Sequence, residues 1–399
     1  MAKLHKERTN LLEKVKKHSP LLILGLLLLG VCMRMPITSI PSVIKEIAQT
    51  FNVAPTSLGI LTTIPLLCFG LLSSVVSSTA QRIGNELTLA IAMVLMFVGS
   101  YLRIINFALL MVGTVMVGMA ITCINVLLPA IISDKYPNRM GSVTGMYNTA
   151  MTLFAAIGAY TITPITHQSS WQTAVVIISA IALVTAIVWL PNLKYNERGG
   201  NNTASDTGTN MWKKVNAWWL LLFFGFQCFV FYSVVAWLPT ISMDAGLSGD
   251  QASLIAGLFQ LFAIPFAFTV PVLAAKMKTR RSIMLGAGIS SMLGTLMMFF
   301  PVNSFAYFCV VAFLLGAGST TTFVLAMTLF GLKTKSAADT RNLSGMVQSV
   351  GYLIAALGPI VVGSLNAQTH GWTASLIVIF AAAFLFTFFG VLAERHSYI

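Results

Sequence analysis

Charge is scarce in this chain. Only 9% of its 399 residues are Asp, Glu, Lys or Arg, against about 25% in a soluble domain. The charged residues also fall in clusters, separated by apolar tracts mostly longer than the ~20 residues that cross a bilayer. A soluble globular fold is excluded on that ground. Acid is scarcer than base, with 11 Asp and Glu against 24 Lys and Arg, for a net charge of +13. That excess does not indicate a nucleic-acid partner, because it is spread over short loops between apolar tracts. The five cysteines, Cys32, Cys68, Cys123, Cys228 and Cys309, all lie within apolar tracts. With no CxxC or Cys/His cluster, they read as small packed hydrophobes; neither disulfides nor a metal site is expected. The chain has no phosphate-binding Walker loop, and no nucleophile–base pair stands out. Direct use of ATP, a bound cofactor and enzymatic chemistry are therefore not expected.

What the sequence does contain is twelve apolar tracts. They run over roughly 20–44, 55–80, 87–105, 107–132, 141–166, 171–191, 217–242, 250–275, 282–301, 304–331, 342–366 and 372–393. The first follows a basic segment and imitates a signal peptide. No convincing small-x-small cleavage site follows it, so it reads as a retained span. Alternate loops divide the basic residues unevenly: 21 of the 24 Lys and Arg fall on one side. The positive-inside rule makes that side cytoplasmic and places both termini there. The expected organisation is a cytoplasmic segment (1–19), a six-helix bundle (20–191), a flexible polar linker (192–216), a second six-helix bundle (217–393) and a cytoplasmic tail (394–399). Trp171, Trp372, Trp218 and Trp219 sit at tract ends, where interfacial anchors are expected.

The halves repeat each other at an offset near 200. Gly145-Met146 matches Gly345-Met346, Ala155-Ala156 matches Ala355-Ala356, and Ile64-Pro65 matches Ile264-Pro265. At an offset of 198, Arg34 falls on Tyr232 and Pro41 on Pro239. Two six-helix halves around a midplane site are an organisation found in secondary transporters, whose halves rock about the site.

Arg34 is the residue that asks most for an explanation. A rise of ~1.5 Å per residue places it ~20 Å into its span, near the middle of a ~30 Å apolar core. It is either half of a structural ion pair or the anchor for an anion in an aqueous cavity. All 11 acidic residues lie at tract ends or in loops, which favours the anchor. Other polar residues within the tracts are Thr38, Asn125, Tyr147, Asn148, Gln227, Tyr232, Gln348 and Tyr352. Each is a candidate either for solute contact or for an interhelical hydrogen bond.

Several motifs carry a family resemblance. They include Arg34-x-Pro36-Ile37-Thr38, Leu61-Thr62-Thr63-Ile64-Pro65, Asn125-Val126-Leu127-Leu128-Pro129, Gly225-Phe226-Gln227 and Ser344-Gly345-Met346-x-Gln348. The chain resembles the major facilitator superfamily, and within it the cyanate-permease-like branch that includes nitroimidazole transporters. The resemblance implies an all-α membrane protein of twelve transmembrane helices in two pseudo-symmetric six-helix bundles. It also implies that spans 1, 4, 7 and 10 line the cavity, which brings Arg34, Asn125, Gln227 and Tyr232 toward a solute. The superfamily's conformational loop between spans 2 and 3 is matched by Arg82 and Gly84, while Gln81 stands where an Asp is usual. The resulting expectation is a monomeric secondary transporter in the inner membrane of a bacterium, moving a small anionic solute. Efflux of neutral or heteroaromatic drugs, or a transporter-like sensor, are the alternatives.

Overall fold

The computed structural model describes residues 19–53, 58, 60–197, 209–300, 302–395 and 398–399. The basic start of the chain and residues 198–208 of the central linker lie outside the described residues. So do the side chains of Pro41, Lys45 and His167.

Twelve spans follow one another without any strand among the described residues. Span 1 is Leu22–Thr38, continued by a 3-10 turn (Ile40–Val43) and a short helix (Ile44–Phe51). Spans 2 to 6 are Ile60–Ile83, Asn85–Leu102, Phe107–Lys135, Met140–Gln168 and Trp171–Trp189. Span 7 is Val215–Asp244, and span 8 consists of Gly249–Leu261 and Ile264–Lys276. Spans 9 to 12 are Arg281–Met298, Phe305–Leu332, Ala337–Thr369 and Thr373–Ala393. Nine helices among the described residues are long and apolar enough to cross a membrane. Large apolar side chains such as Leu71, Ile91, Ile187 and Phe384 are more than half exposed. Apolar surface of this extent suits lipid rather than water.

Local chemistry sets many of the ends. Asn106, Ser170, Ser304 and Ser336 each accept a backbone N–H at the start of spans 4, 6, 10 and 11, satisfying donors that a helix start leaves free. Ser248 and Gln251 form a reciprocal capping box at span 8. Two spans are interrupted at prolines, span 1 at Pro41, where that residue is expected to weaken the helix, and span 8 at Pro265. Span 1 leaves the α-helix after Thr38, and Pro41 falls in the first turn of the following 3-10 segment. Span 8 breaks at Phe262–Ala263, just before Pro265. A proline removes a donor and crowds the carbonyl four residues back, so each break falls where its proline sits. Pro36, by contrast, remains within the α-helix.

The extension Ile44–Phe51 is held by Trp171. That side chain is 3% exposed; its Nε1 donates to Thr50 Oγ1 at 2.8 Å and its ring meets Phe51 edge-on. Trp171 is therefore an internal strut and not the interfacial anchor expected. Its counterpart Trp372 donates to Asp244 Oδ2 at 2.7 Å.

The two halves meet near the face that bears the start of span 1 and the end of span 12. Asn342 Oδ1 accepts from Gln81 Nε2 at 2.7 Å and from Ser77 Oγ at 3.2 Å. Arg341 donates to Asn85 Oδ1 at 3.1 Å, and Ser133 and Thr340 share a hydrogen bond. A side chain at Gly141 would collide with the Pro271 carbonyl across the same boundary, so that glycine permits the close approach. Behind this seam lie buried ion pairs. Lys333 meets Glu394 at 3.1 Å and Glu394 meets Arg280 at 3.0 Å. Lys135, 198 positions before Lys333, meets Asp134 at 3.3 Å.

Candidate functional site

Span 1 carries Arg34 to the middle of the molecule, immediately before its helix breaks. Two bonds fix that end. Thr38 Oγ1 donates to the carbonyls of Arg34 and Ala155, at 3.1 and 3.2 Å. Arg103, 2% exposed, donates through Nη1 to the Pro36 carbonyl at 3.2 Å and through Nε to Thr114 at 3.1 Å. A buried cation thus serves a backbone acceptor beside the break.

Arg34 faces a cavity of about 380 Å³ between the halves. No acidic group lies within ion-pair distance of its guanidinium, and no hydrogen bond to it is formed, among the described residues. Instead its central carbon lies over two rings of the other half, 5.2 Å from the centre of Phe231 and 5.8 Å from that of Phe323. Ring faces attract a cation by their quadrupole without neutralising it or using its N–H donors. A second space of about 20 Å³ also borders Arg34, room for about one water.

Five of the nine candidate binding residues line the main cavity: Arg34, Thr38, Asn125, Tyr232 and Tyr352. The remaining four lie outside its lining. Gln348 is four residues before Tyr352 and donates to the Asn125 carbonyl and to Ser344. Tyr147 is four before Met151, a lining residue, and packs against Gly30. Asn148 donates to the Thr144 carbonyl. These three sit about one turn, or ~6 Å, deeper than the cavity floor. Gln227 turns aside to Cys228 and Thr322. Asn125, Asn148 and Gln348 each keep a buried side-chain oxygen with no donor among the described residues. Every hydrogen bond between the halves among the described residues meets span 11 between residues 340 and 349. The cavity lies beyond them, lined there by Thr63, Val235, Ala236, Pro359 and Ile360.

The lining residues outside the nine candidates are mostly apolar, among them Phe69, Phe231 and Phe323 with Met33, Met151 and Leu66, and include the polar Thr63 and Gln260. The 198-residue offset that sets Tyr232 against Arg34 is the nearest signal to Phe231, which is its neighbour.

In the loop between spans 2 and 3, Gly84 has φ +96° and ψ 154°, a region open to glycine alone. Asn196 fills the space beside it, donating to the Ile83 carbonyl at 2.8 Å and accepting from Leu87 N–H at 3.0 Å. Arg82 is exposed at the end of span 2.

Comparison with known proteins decides the family. The model for the Major Facilitator Superfamily matches residues 23–277 and 240–397. The chain belongs to the major facilitator superfamily. This transporter is 34% identical to the uncharacterized transporter YycB of Bacillus subtilis, over 95% of the chain and 94% of the relative. It is 30% identical to the 2-nitroimidazole transporter of Escherichia coli, over 95% and 96%, and 24% identical to the cyanate transport protein CynX of the same organism, over 86% and 90%. Among solved structures, the transporter matches FucP in its outward conformation with a TM-score of 0.74, at 12% identity, over 94% of the chain and 100% of FucP. The twelve-helix, two-bundle fold is that of the superfamily.

Proposed function

We propose that this transporter moves a small anionic solute across the cytoplasmic membrane by alternating access, as a monomer with both termini in the cytoplasm. The observation that carries the reading is Arg34: a midplane guanidinium, facing a cavity, with no acidic partner among the described residues. Holding a charge in an apolar span is costly, and the ring faces of Phe231 and Phe323 lower that cost without using its donors. The seam beside Asn342 and the cavity beyond it fit a state closed toward the cytoplasm and open outward. The basic loops support that orientation.

The decisive experiment is solute counterflow in proteoliposomes, run with wild type and Arg34→Ala. Loss of anion exchange in the variant, with an unchanged melting temperature, is expected. Equal exchange by the two proteins overturns the reading. A neutral heteroaromatic solute is the second reading, favoured by the apolar lining and by the similarity to a 2-nitroimidazole transporter. Arg34→Ala is then expected to leave exchange intact.

A further inference from the structure

We propose that the solute is a monovalent anion with a flat, conjugated body, of the arene carboxylate class. This rests on the anion reading above and adds the shape and size of the ligand. Four observations lead to it.

The first is the count of charges. Among the described residues, Arg34 is the one charged residue lining the cavity. A monoanion is neutralised there, whereas a second negative charge would be buried without a partner.

The second is volume. A cavity of about 380 Å³ holds on the order of a dozen waters. A three-atom inorganic anion would occupy a small part of it and leave the apolar walls facing water.

The third is the geometry at the guanidinium. Phe231 and Phe323 cover it by their ring faces. Its planar fork of donors therefore stays available to a carboxylate, which it can bind with two parallel hydrogen bonds. The two rings extend the surface on which a flat group joined to that carboxylate would lie.

The fourth is the rest of the aromatic lining. Phe69 and Tyr352 lie with ring centres 4.9 Å apart, and Phe224 meets Tyr352 edge-on from behind at 5.2 Å. Met33 and Met151 supply thioethers at the same depth. Aromatic faces, edges and sulfur are favourable partners for an aromatic ring.

The test is calorimetric binding to the purified, folded protein. The probes are benzoate and 2-naphthoate, with cyclohexanecarboxylate, acetate and glucuronate as anions of other shape, and benzamide as the neutral analogue. Wild type is expected to bind an arene carboxylate at least about tenfold more tightly than cyclohexanecarboxylate, an aromatic preference of ordinary size. Phe231→Leu and Phe323→Leu, each confirmed to melt cooperatively, are expected to bring that preference to about threefold or less. Both should still bind in a manner that depends on Arg34. Equal binding of benzoate and cyclohexanecarboxylate, lost in Arg34→Ala, overturns the flat-ring assignment and leaves the anion reading standing. Benzamide binding as tightly as benzoate, unchanged in Arg34→Ala, overturns both. No binding of either arene carboxylate by folded wild type overturns the assignment.

Discussion

At the scale of single residues, two arginines, Arg34 half-buried and Arg103 buried, do different work. Arg34 faces a cavity and lies over aromatic rings. Arg103 spends its donors on the Pro36 carbonyl and Thr114. Sequence reasoning distinguished Arg34 because no acid shares its depth. It left Arg103 at the end of the third tract, on the side away from the basic loops, because position alone does not show that the side chain folds inward. Arg103→Ala would leave a buried carbonyl without that donor, at a cost of about 1–3 kcal/mol. A lower melting temperature is expected, together with weaker solute binding, because the freed carbonyl is two residues from Arg34. Arg103→Lys should recover part of both. Weakened stability with unaltered binding would show that Arg103 has no part in placing Arg34. The aromatic lining was illegible for a plain reason: a Phe that faces a cavity and one that faces lipid occupy the same kind of apolar tract. Asn, Gln and Tyr do stand out there, yet Gln227 is about 140° around the helix from Tyr232, at 100° per residue. Position within a span does not give direction without the neighbouring helices.

At the scale of elements, all twelve spans were legible because lipid demands long apolar runs and short charged loops. Their interruptions were less so. Pro41 and Pro265 fall at breaks, while Pro36, Pro65 and Pro129 remain inside helices. Packing against neighbours decides which proline ends a helix. The turn between spans 2 and 3 is more sharply specified. Gly84→Ala would introduce a Cβ at positive φ and against the Asn196 side chain. A loss of about 1–3 kcal/mol is expected, read as a fall in the thermal midpoint. Gly286→Ala is the control, since a Cβ there meets nothing within 4 Å; its midpoint should be unchanged or higher. Equal midpoints for the two variants would show that the turn is unstrained.

At the scale of the whole molecule, the repeat noted in the sequence is visible as paired roles. Arg34 and Tyr232 both reach the cavity, and Lys135 and Lys333 both lie in buried ion pairs. The amide oxygens of Asn125, Asn148 and Gln348 have a further consequence. Each is buried with no donor among the described residues, and each such loss costs about 1–3 kcal/mol. Tilting the halves apart would let water reach these atoms and relieve it. Under the alternating access proposed above, the closed seam would therefore work against itself, and the two access states would lie nearer in free energy than their contacts alone imply. Asn148→Leu removes one such atom. It is expected to raise the melting temperature, to slow counterflow, and to reduce labelling by a water-soluble thiol reagent of a cysteine placed at Ser74. Faster counterflow, or heavier labelling, would contradict that view. A transporter so balanced needs only the modest binding energy of a small solute to tip it, and a seam without these thirsty oxygens would hold its gate shut.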